Sequence, residues 1–333
     1  TELYVTKTSF GALPVQRIGH EAARKLLRRA YESGINYFDT ANMYTDSEEK
    51  LGEALHDVRH HIVISTKSGG QDKETVRKHI ELSLRRLQTD YIDLFQFHNP
   101  AQRPDPDDPD GPFAAALEAK EKGYIRHIGI TNHRLGVAQA AIDSGNFETL
   151  QFPFCYLCTE KDLALLRSCE EADMGFIAMK GLSGGMLSNA AACYAFMQQH
   201  PSVVPIWGIQ HEWELDQWLK LTEGNQQMTP ELSAVIEKDR RELAHNFCRS
   251  CGYCLPCAAG INIPQAARMA MLLRRSPYRP YMTEQWYAEM HKIEGCLHCD
   301  ACKSRCPYGL DTPALLQEML KDYDAFYALH HND

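Results

Sequence analysis

The sequence predicts an α/β protein, a (β/α)8 TIM barrel followed by a small α-helical module built around cysteine. Three observations carry that reading. Short apolar or β-branched runs alternate with helical stretches eight times between residues 9 and 222, and eight such units fit a closed barrel better than an open doubly wound sheet. No G-x-G-x-x-G follows the first run, which argues against a dinucleotide-binding open sheet. Eight of the 12 cysteines fall between residues 248 and 306, a density that points to metal in a reduced chain.

The strand-like runs are 9–15, 35–41, 61–68, 91–98, 125–132, 150–155, 175–180 and 203–209. Helical text occupies 20–31, 47–55, 74–87, 113–122, 135–143, 161–171, 189–199 and 212–221, with apolar spacing such as Val76, Ile80, Leu84 and Leu87. A loop rich in proline and aspartate, 99–112, follows the fourth run; it is either a substrate-facing lid or a solvated acidic loop. The pattern breaks after Thr222. Glu223-Gly224-Asn225-Gln226-Gln227 reads as a linker, and Thr229-Pro230 starts a helix reaching about Phe247. The expected division is therefore a barrel over 1–222 and a helical cysteine module over 223–333.

Composition narrows the function classes. The chain is 44% hydrophobic and 24% charged, which is globular, with a formal net charge of −9. An acidic chain without a basic stretch matches neither nucleic acid nor an anionic membrane. No apolar run approaches the ~20 residues that span a bilayer. Thr1–Val5 has no basic or apolar leader character, so the expected location is the cytoplasm.

The cysteines fall in two runs, Cys248-x2-Cys251-x2-Cys254-x2-Cys257 and Cys296-x2-Cys299-x2-Cys302-x3-Cys306-Pro307. The second is the C-x2-C-x2-C-x3-C-P pattern in which three thiolates bind one cubane and the fourth ligates the other. Crossed ligation predicts two [4Fe–4S] clusters, one on Cys248, Cys251, Cys254 and Cys306, the other on Cys296, Cys299, Cys302 and Cys257. Structural zinc wants two pairs of ligands and leaves the third Cys of each run unexplained. Cys155-x2-Cys158 has no second pair and is not read as a metal site.

Four polar residues stand at or just after strand ends: Asp39 and Tyr44 after the second, Lys67 at the third, His98 at the fourth. Gly34-Ile35-Asn36-Tyr37-Phe38-Asp39-Thr40-Ala41-Asn42-Met43-Tyr44, Ser83-Leu84-Arg85-Arg86-Leu87, Asp90-Tyr91-Ile92-Asp93-Leu94 and Ile125-Arg126-His127-Ile128-Gly129-Ile130-Thr131-Asn132 resemble the signatures of the aldo-keto reductase family. The cysteine tail resembles an α-helical dicluster ferredoxin domain, so the whole looks like an iron–sulfur branch of that family.

The resemblance implies a catalytic tetrad of Asp39, Tyr44, Lys67 and His98. Carbonyl reduction puts charge on oxygen and needs a proton donor beside it. Tyr44 suits that role if Lys67 lowers its pKa, with Asp39 holding Lys67 and His98 orienting the carbonyl oxygen. It also implies NADH or NADPH. Thr131, Asn132 and Gln151 match positions that hold the nicotinamide carboxamide, and Met179 stands where the family usually stacks an aromatic. Lys180 and the Gly184-Gly185 turn could meet a pyrophosphate. After the eighth strand the family offers small residues, here Gly208, and often a cation for a 2′-phosphate; this chain has Trp207 through Trp213 with Glu212 instead.

The expected function is an oxidoreductase reducing or oxidising a carbonyl or conjugated small molecule, with Tyr44 as proton donor. Its clusters would relay electrons from a ferredoxin or other one-electron donor. Two alternatives stand beside it: a ferredoxin-driven reductase without nicotinamide, and a non-catalytic electron carrier or regulator.

Overall fold

The computed structural model describes residues 1–243, 248–275, 277–306 and 308–331; Phe247, the expected helix end, and Pro307 of the C-P ending lie outside them. The chain divides into two compact units, 1–181 with 190–232, and 182–189 with 233–333.

In the first unit the strands are β1 (Ser9–Gly11), β2 (Tyr37–Asp39), β3 (Val63–Ser68), β4 (Ile92–His98), β5 (Ile125–Thr131), β6 (Thr149–Pro153), β7 (Gly175–Met179) and β8 (Val203–Gly208). Between and after them run α1 (His20–Glu32), α2 (Ser47–Leu55), α3 (Lys73–Leu87), α4 (Pro112–Glu121), α5 (Leu135–Ser144), α6 (Glu160–Glu171), α7 (Ala190–Gln198) and α8 (Glu212–Glu223). The strands are parallel, pair in chain order and close through β1 and β8. The eight-unit reading is met. The first run is shortened, because Pro14 fixes a backbone that continues as a 3-10 turn, Leu13–Arg17.

Local chemistry explains the helix ends. The Asp72 side chain accepts from Thr75 N at 2.8 Å to start α3, and Gly145 at φ +66° stops α5. Gly52 lets α2 lie against the end of α3: a Cβ there would meet the Arg86 carbonyl oxygen at 2.3 Å.

Strand alternation sorts the side chains. Tyr37, Leu94, Ile177 and Ile206 form an apolar layer inside the barrel, with Met179 packed on it. Two residues further along β2, β3 and β4 the interior turns polar, with Asp39 opposite Ser65 and Lys67 opposite Gln96. Trp207 goes the other way. It is buried and stacks on Trp218 of α8, with centroids 3.9 Å apart. The alternation of β8 therefore turns it away from the barrel interior, and it is a packing residue rather than a departure at a cofactor site.

The second unit holds α9 (Pro230–Leu243) from Ser233 onward, α10 (Ile263–Ala266), α11 (Met269–Arg275), α12 (Glu284–His291), α13 (Ala301–Ser304) and α14 (Thr312–His330). Ile261, Met269, Met290, Ile293, Leu316 and Tyr323 form its core, and Cys254, Cys257, Cys296, Cys302 and Cys306 pack against it. No helix among the described residues is long and apolar enough to cross a membrane.

Candidate functional site

The C-terminal ends of β2, β3 and β4 bring Asp39, Lys67 and His98 together with Tyr44, which lies between β2 and α2. Lys67 Nζ donates to Asp39 Oδ2 at 2.6 Å and to the Thr40 carbonyl oxygen at 2.5 Å. The pair is sealed, with side chains 1% and 4% exposed. Ser65 Oγ donates to Asp39 Oδ1 at 2.7 Å, while Tyr37 donates to Ser65 Oγ at 3.0 Å. The carboxylate is thus held from two sides. Lys67 Nζ stands 5.3 Å from the Tyr44 ring centroid, and the His98 ring meets Tyr44 edge-on at 5.8 Å.

The electrostatics correct one expectation. Tyr44 is raised above the ordinary tyrosine value, not lowered. Burial outweighs the attraction of Lys67, and Asp39 adds to the rise by favouring the neutral phenol. His98 is pushed down to about 4, by burial first and then by Lys67. At neutral pH the group is a neutral phenol beside a neutral imidazole. The His98 Nδ1 is buried without a hydrogen-bond partner.

Sequence reasoning missed three contributors. Ser65 and Gln96 stand two residues before Lys67 and His98 on their strands, so period-two alternation was a usable signal. Gln96 Nε2 donates to Gln151 Oε1 at 2.9 Å, and its own Oε1 is buried and unpartnered. His133 is pushed down to about 3 by burial and by Lys180, His98 and Arg134. Nothing in the sequence marked it.

The residues matched to nicotinamide binding are partly engaged already. Asn132 Nδ2 donates to the Pro100 carbonyl oxygen at 2.9 Å, and its Oδ1 accepts from Arg134 N at 2.8 Å. Thr131 Oγ1 accepts from Asn99 N at 3.2 Å. Met179 ends β7 facing the interior, and Lys180 follows at φ +58° with an exposed side chain. Gly208 is exposed at the end of β8. Glu212 pairs with Arg29 at 3.4 Å, and Arg29 also pairs with Asp216. Gly184 and Gly185, at φ +73° and +90°, belong to the second unit, where a Cβ on Gly184 would lie 3.4 Å from Arg268 Nη2.

In the second unit the cysteines surround two cavities. Cys248, Cys251, Cys254 and Cys306 line one of about 20 Å³. Cys257, Cys296, Cys299 and Cys302 line the other, of about 110 Å³, which Cys254 also touches. Burial raises the Cys248 and Cys302 thiols and pushes Cys254 up to about 12. Among the described residues no three His, Cys, Asp or Glu converge on a single ion. Four thiols spread around one space is the donor set a cubane takes.

The aldo/keto reductase family model matches residues 8–249. The chain belongs to that family. A 4Fe-4S dicluster domain model matches residues 247–311. This aldo-keto reductase is 29% identical over 203 residues to the uncharacterised oxidoreductase YqkF of Bacillus subtilis, covering 57% of the chain and 65% of the relative. The first curated relatives are spanned over only 56% to 65% of their own length. An aldo-keto reductase of Bacillus halodurans in its holo form matches with a TM-score of 0.63 at 23% identity, over 72% of this chain and 93% of that one. A Klebsiella pneumoniae aldo/keto reductase in complex with NADP and acetate matches at 0.60 and 22%, over 70% and 91%. At those identities the likeness is one of fold.

Proposed function

We propose that the barrel reduces a carbonyl compound, with Tyr44 giving the proton to the nascent alkoxide. One observation carries this reading: a phenol raised above its ordinary value beside a lysine that a buried carboxylate holds at 2.6 Å. A phenol that stays protonated is always ready to donate, and the charge that builds on the substrate oxygen is met by Lys67 close by. Asp39 keeps Lys67 in place. Neutral His98 can give one N–H to the carbonyl oxygen and orient it. A phenolate is disfavoured here, so the arrangement supports reduction over alcohol oxidation.

The mouth suits a nicotinamide at its ring end. Gln151, the Thr131 hydroxyl and the apolar face of Met179 would hold it, and a bound nucleotide would supply hydride. At the adenosine end the nearby cation Arg29 is committed to Glu212 and Asp216, which favours NADH over NADPH. The module of 223–333 would hold two [4Fe–4S] clusters on the crossed cysteine sets, which pass single electrons. Commitment of Asn132 to Pro100 and Arg134 favours a second reading, in which a ferredoxin-like donor replaces the nucleotide.

The test is Tyr44→Phe in anaerobically purified, cluster-loaded protein with butanal as the probe. Reduction should fall by about 10²–10⁴-fold while nucleotide affinity stays within about twofold, because the proton moves only in the transition state. Turnover near the parent rate would refute the assignment.

A further inference from the structure

A cavity of about 260 Å³ opens beside the mouth of the barrel, lined by Ser68 and Gly69 after β3, His98 at the end of β4, and Gln102, Arg103 and Pro112 of the loop before and at the start of α4. His98 links the two spaces. Its ring lies edge-on to Tyr44 and also lines this cavity.

Arg103 is the one formally charged side chain among the described lining residues. It is half-buried, and its single hydrogen bond runs from Nη1 to the Pro104 carbonyl oxygen at 3.2 Å. The same loop carries Asp105, Asp107, Asp108 and Asp110, all exposed. Two of these carboxylates are turned onto their own backbone: Asp105 Oδ1 accepts from Asp107 N at 3.2 Å and Asp108 Oδ1 from Asp110 N at 3.1 Å. A strongly acidic loop thus leaves its one guanidinium without a carboxylate partner and sets it in the wall of a cavity next to the reacting group. A half-buried guanidinium with a single backbone hydrogen bond has most of its five N–H donors left to offer an anion in that cavity.

We infer that Arg103 anchors a carboxylate of the substrate, so that the barrel reduces oxo acids: aldehydes or ketones carrying a carboxylate a few carbons from the carbonyl. The inference rests on the carbonyl-reduction reading above. It adds no chemical step. The substrate carbonyl would take hydride from a bound nicotinamide nucleotide, itself oxidised, and a proton from Tyr44 to become the alcohol, and the carboxylate is unchanged. The planar fork of one guanidinium matches one carboxylate through two parallel hydrogen bonds. A phosphate dianion would stay half-neutralised here, with four aspartates on the same loop. Arg103 is a specificity residue rather than a catalytic one, since it touches the far end of the molecule.

The experiment compares pairs of equal carbon count on the cluster-loaded full chain, succinic semialdehyde against butanal and adipic semialdehyde against hexanal. At least one acid should exceed its uncharged partner in kcat/KM by about tenfold or more, the size of a charge-assisted contact. In Arg103→Gln the ratio should drop toward one, and Arg103→Lys should fall between. A ratio near one in the parent protein, or a ratio unmoved in Arg103→Gln, overturns the inference. So does a larger gain for glyceraldehyde 3-phosphate over glyceraldehyde, which would make the anion a phosphate.

Calorimetric binding of 4-hydroxybutyrate and 6-hydroxyhexanoate, against the parent alcohols, separates the two proposals. Arg103-dependent binding of either acid without turnover of any aldehyde keeps the anchor and refutes carbonyl reduction. Butanal turnover with neither acid bound keeps carbonyl reduction and refutes the anchor. Absence of both refutes both.

Discussion

Replacing Lys67 by methionine removes one half of a sealed ion pair, and the structure fixes what is left behind. Asp39 keeps the Ser65 hydroxyl at 2.7 Å but loses the ammonium at 2.6 Å, inside a barrel where both side chains are almost wholly covered. Stripping one partner from a buried pair costs ~3–5 kcal/mol, chiefly because the surviving charge has neither water nor counter-charge. With a urea slope of about 2–3 kcal/mol per molar, the unfolding midpoint of the barrel should fall by roughly 1–2.5 M. The stacked pair of Trp207 and Trp218 lies in the barrel unit, so tryptophan emission under anaerobic urea titration includes a report on it. The paired variant Asp39→Asn, Lys67→Met removes the stranded charge and should lie well above the single variant in midpoint. Both variants should lose carbonyl reduction, since the phenol then faces no cation. A Lys67→Met midpoint within about 0.3 M of the parent, or a paired variant no better than the single, would refute the argument that Asp39 depends on Lys67 for its place in the core.

Further outcomes follow from the same geometry. Reduction requires Tyr44 protonated and His98 neutral; with Tyr44 raised above its ordinary value and His98 down at about 4, kcat/KM should be flat between about pH 6 and pH 9, and a midpoint inside that window counts against the pair. Anaerobic protein should contain about eight iron and about eight sulfide, and Cys306→Ser should disturb the signal of the cluster on Cys248, Cys251 and Cys254 rather than the one on its own run; two zinc ions would sink the scheme. Fluorescence titration should find NADH bound at least as tightly as NADPH, and a tenfold NADPH preference would mean that a cation other than Arg29, such as Lys180, meets the 2′-phosphate.

Periodicity made the barrel readable, because each strand and helix buries one face and repeats its own spacing. The bounds of α2 fell on Ser47 and Leu55 as the pattern predicts. Trp207 was misplaced by counting along the chain without asking which face of β8 it occupies; Val204 and Ile206 lie against and in the interior layer, on alternate positions, and that parity sends Trp207 outward. The 19-residue helix Thr312–His330 went unread behind the last cysteine, although Leu315, Leu316, Leu320 and Tyr323 carry its buried face. Tyr44 was expected to be acidic on the strength of one neighbour. Its acidity depends on how much water reaches it, which no local pattern encodes. Arg103 was invisible for a related reason: it matters through the cavity it lines, whose other wall is the loop after β3. His133 is set by its burial and by Lys180 and His98, which the fold brings to it from other strand ends.

The pairing of β1 with β8 has a consequence for biosynthesis. Phe10 meets Trp207 across that seam, so the ring of strands stays open until almost 200 further residues have left the ribosome, and residues near the start wait longest for their partners. Once β8 has emerged the seam can close, and Cys248, the first cysteine of the module, lies forty residues beyond Gly208, the end of that strand. Strand closure thus asks nothing of the iron supply and can precede it, as the earlier part of a growing chain folds before the later part.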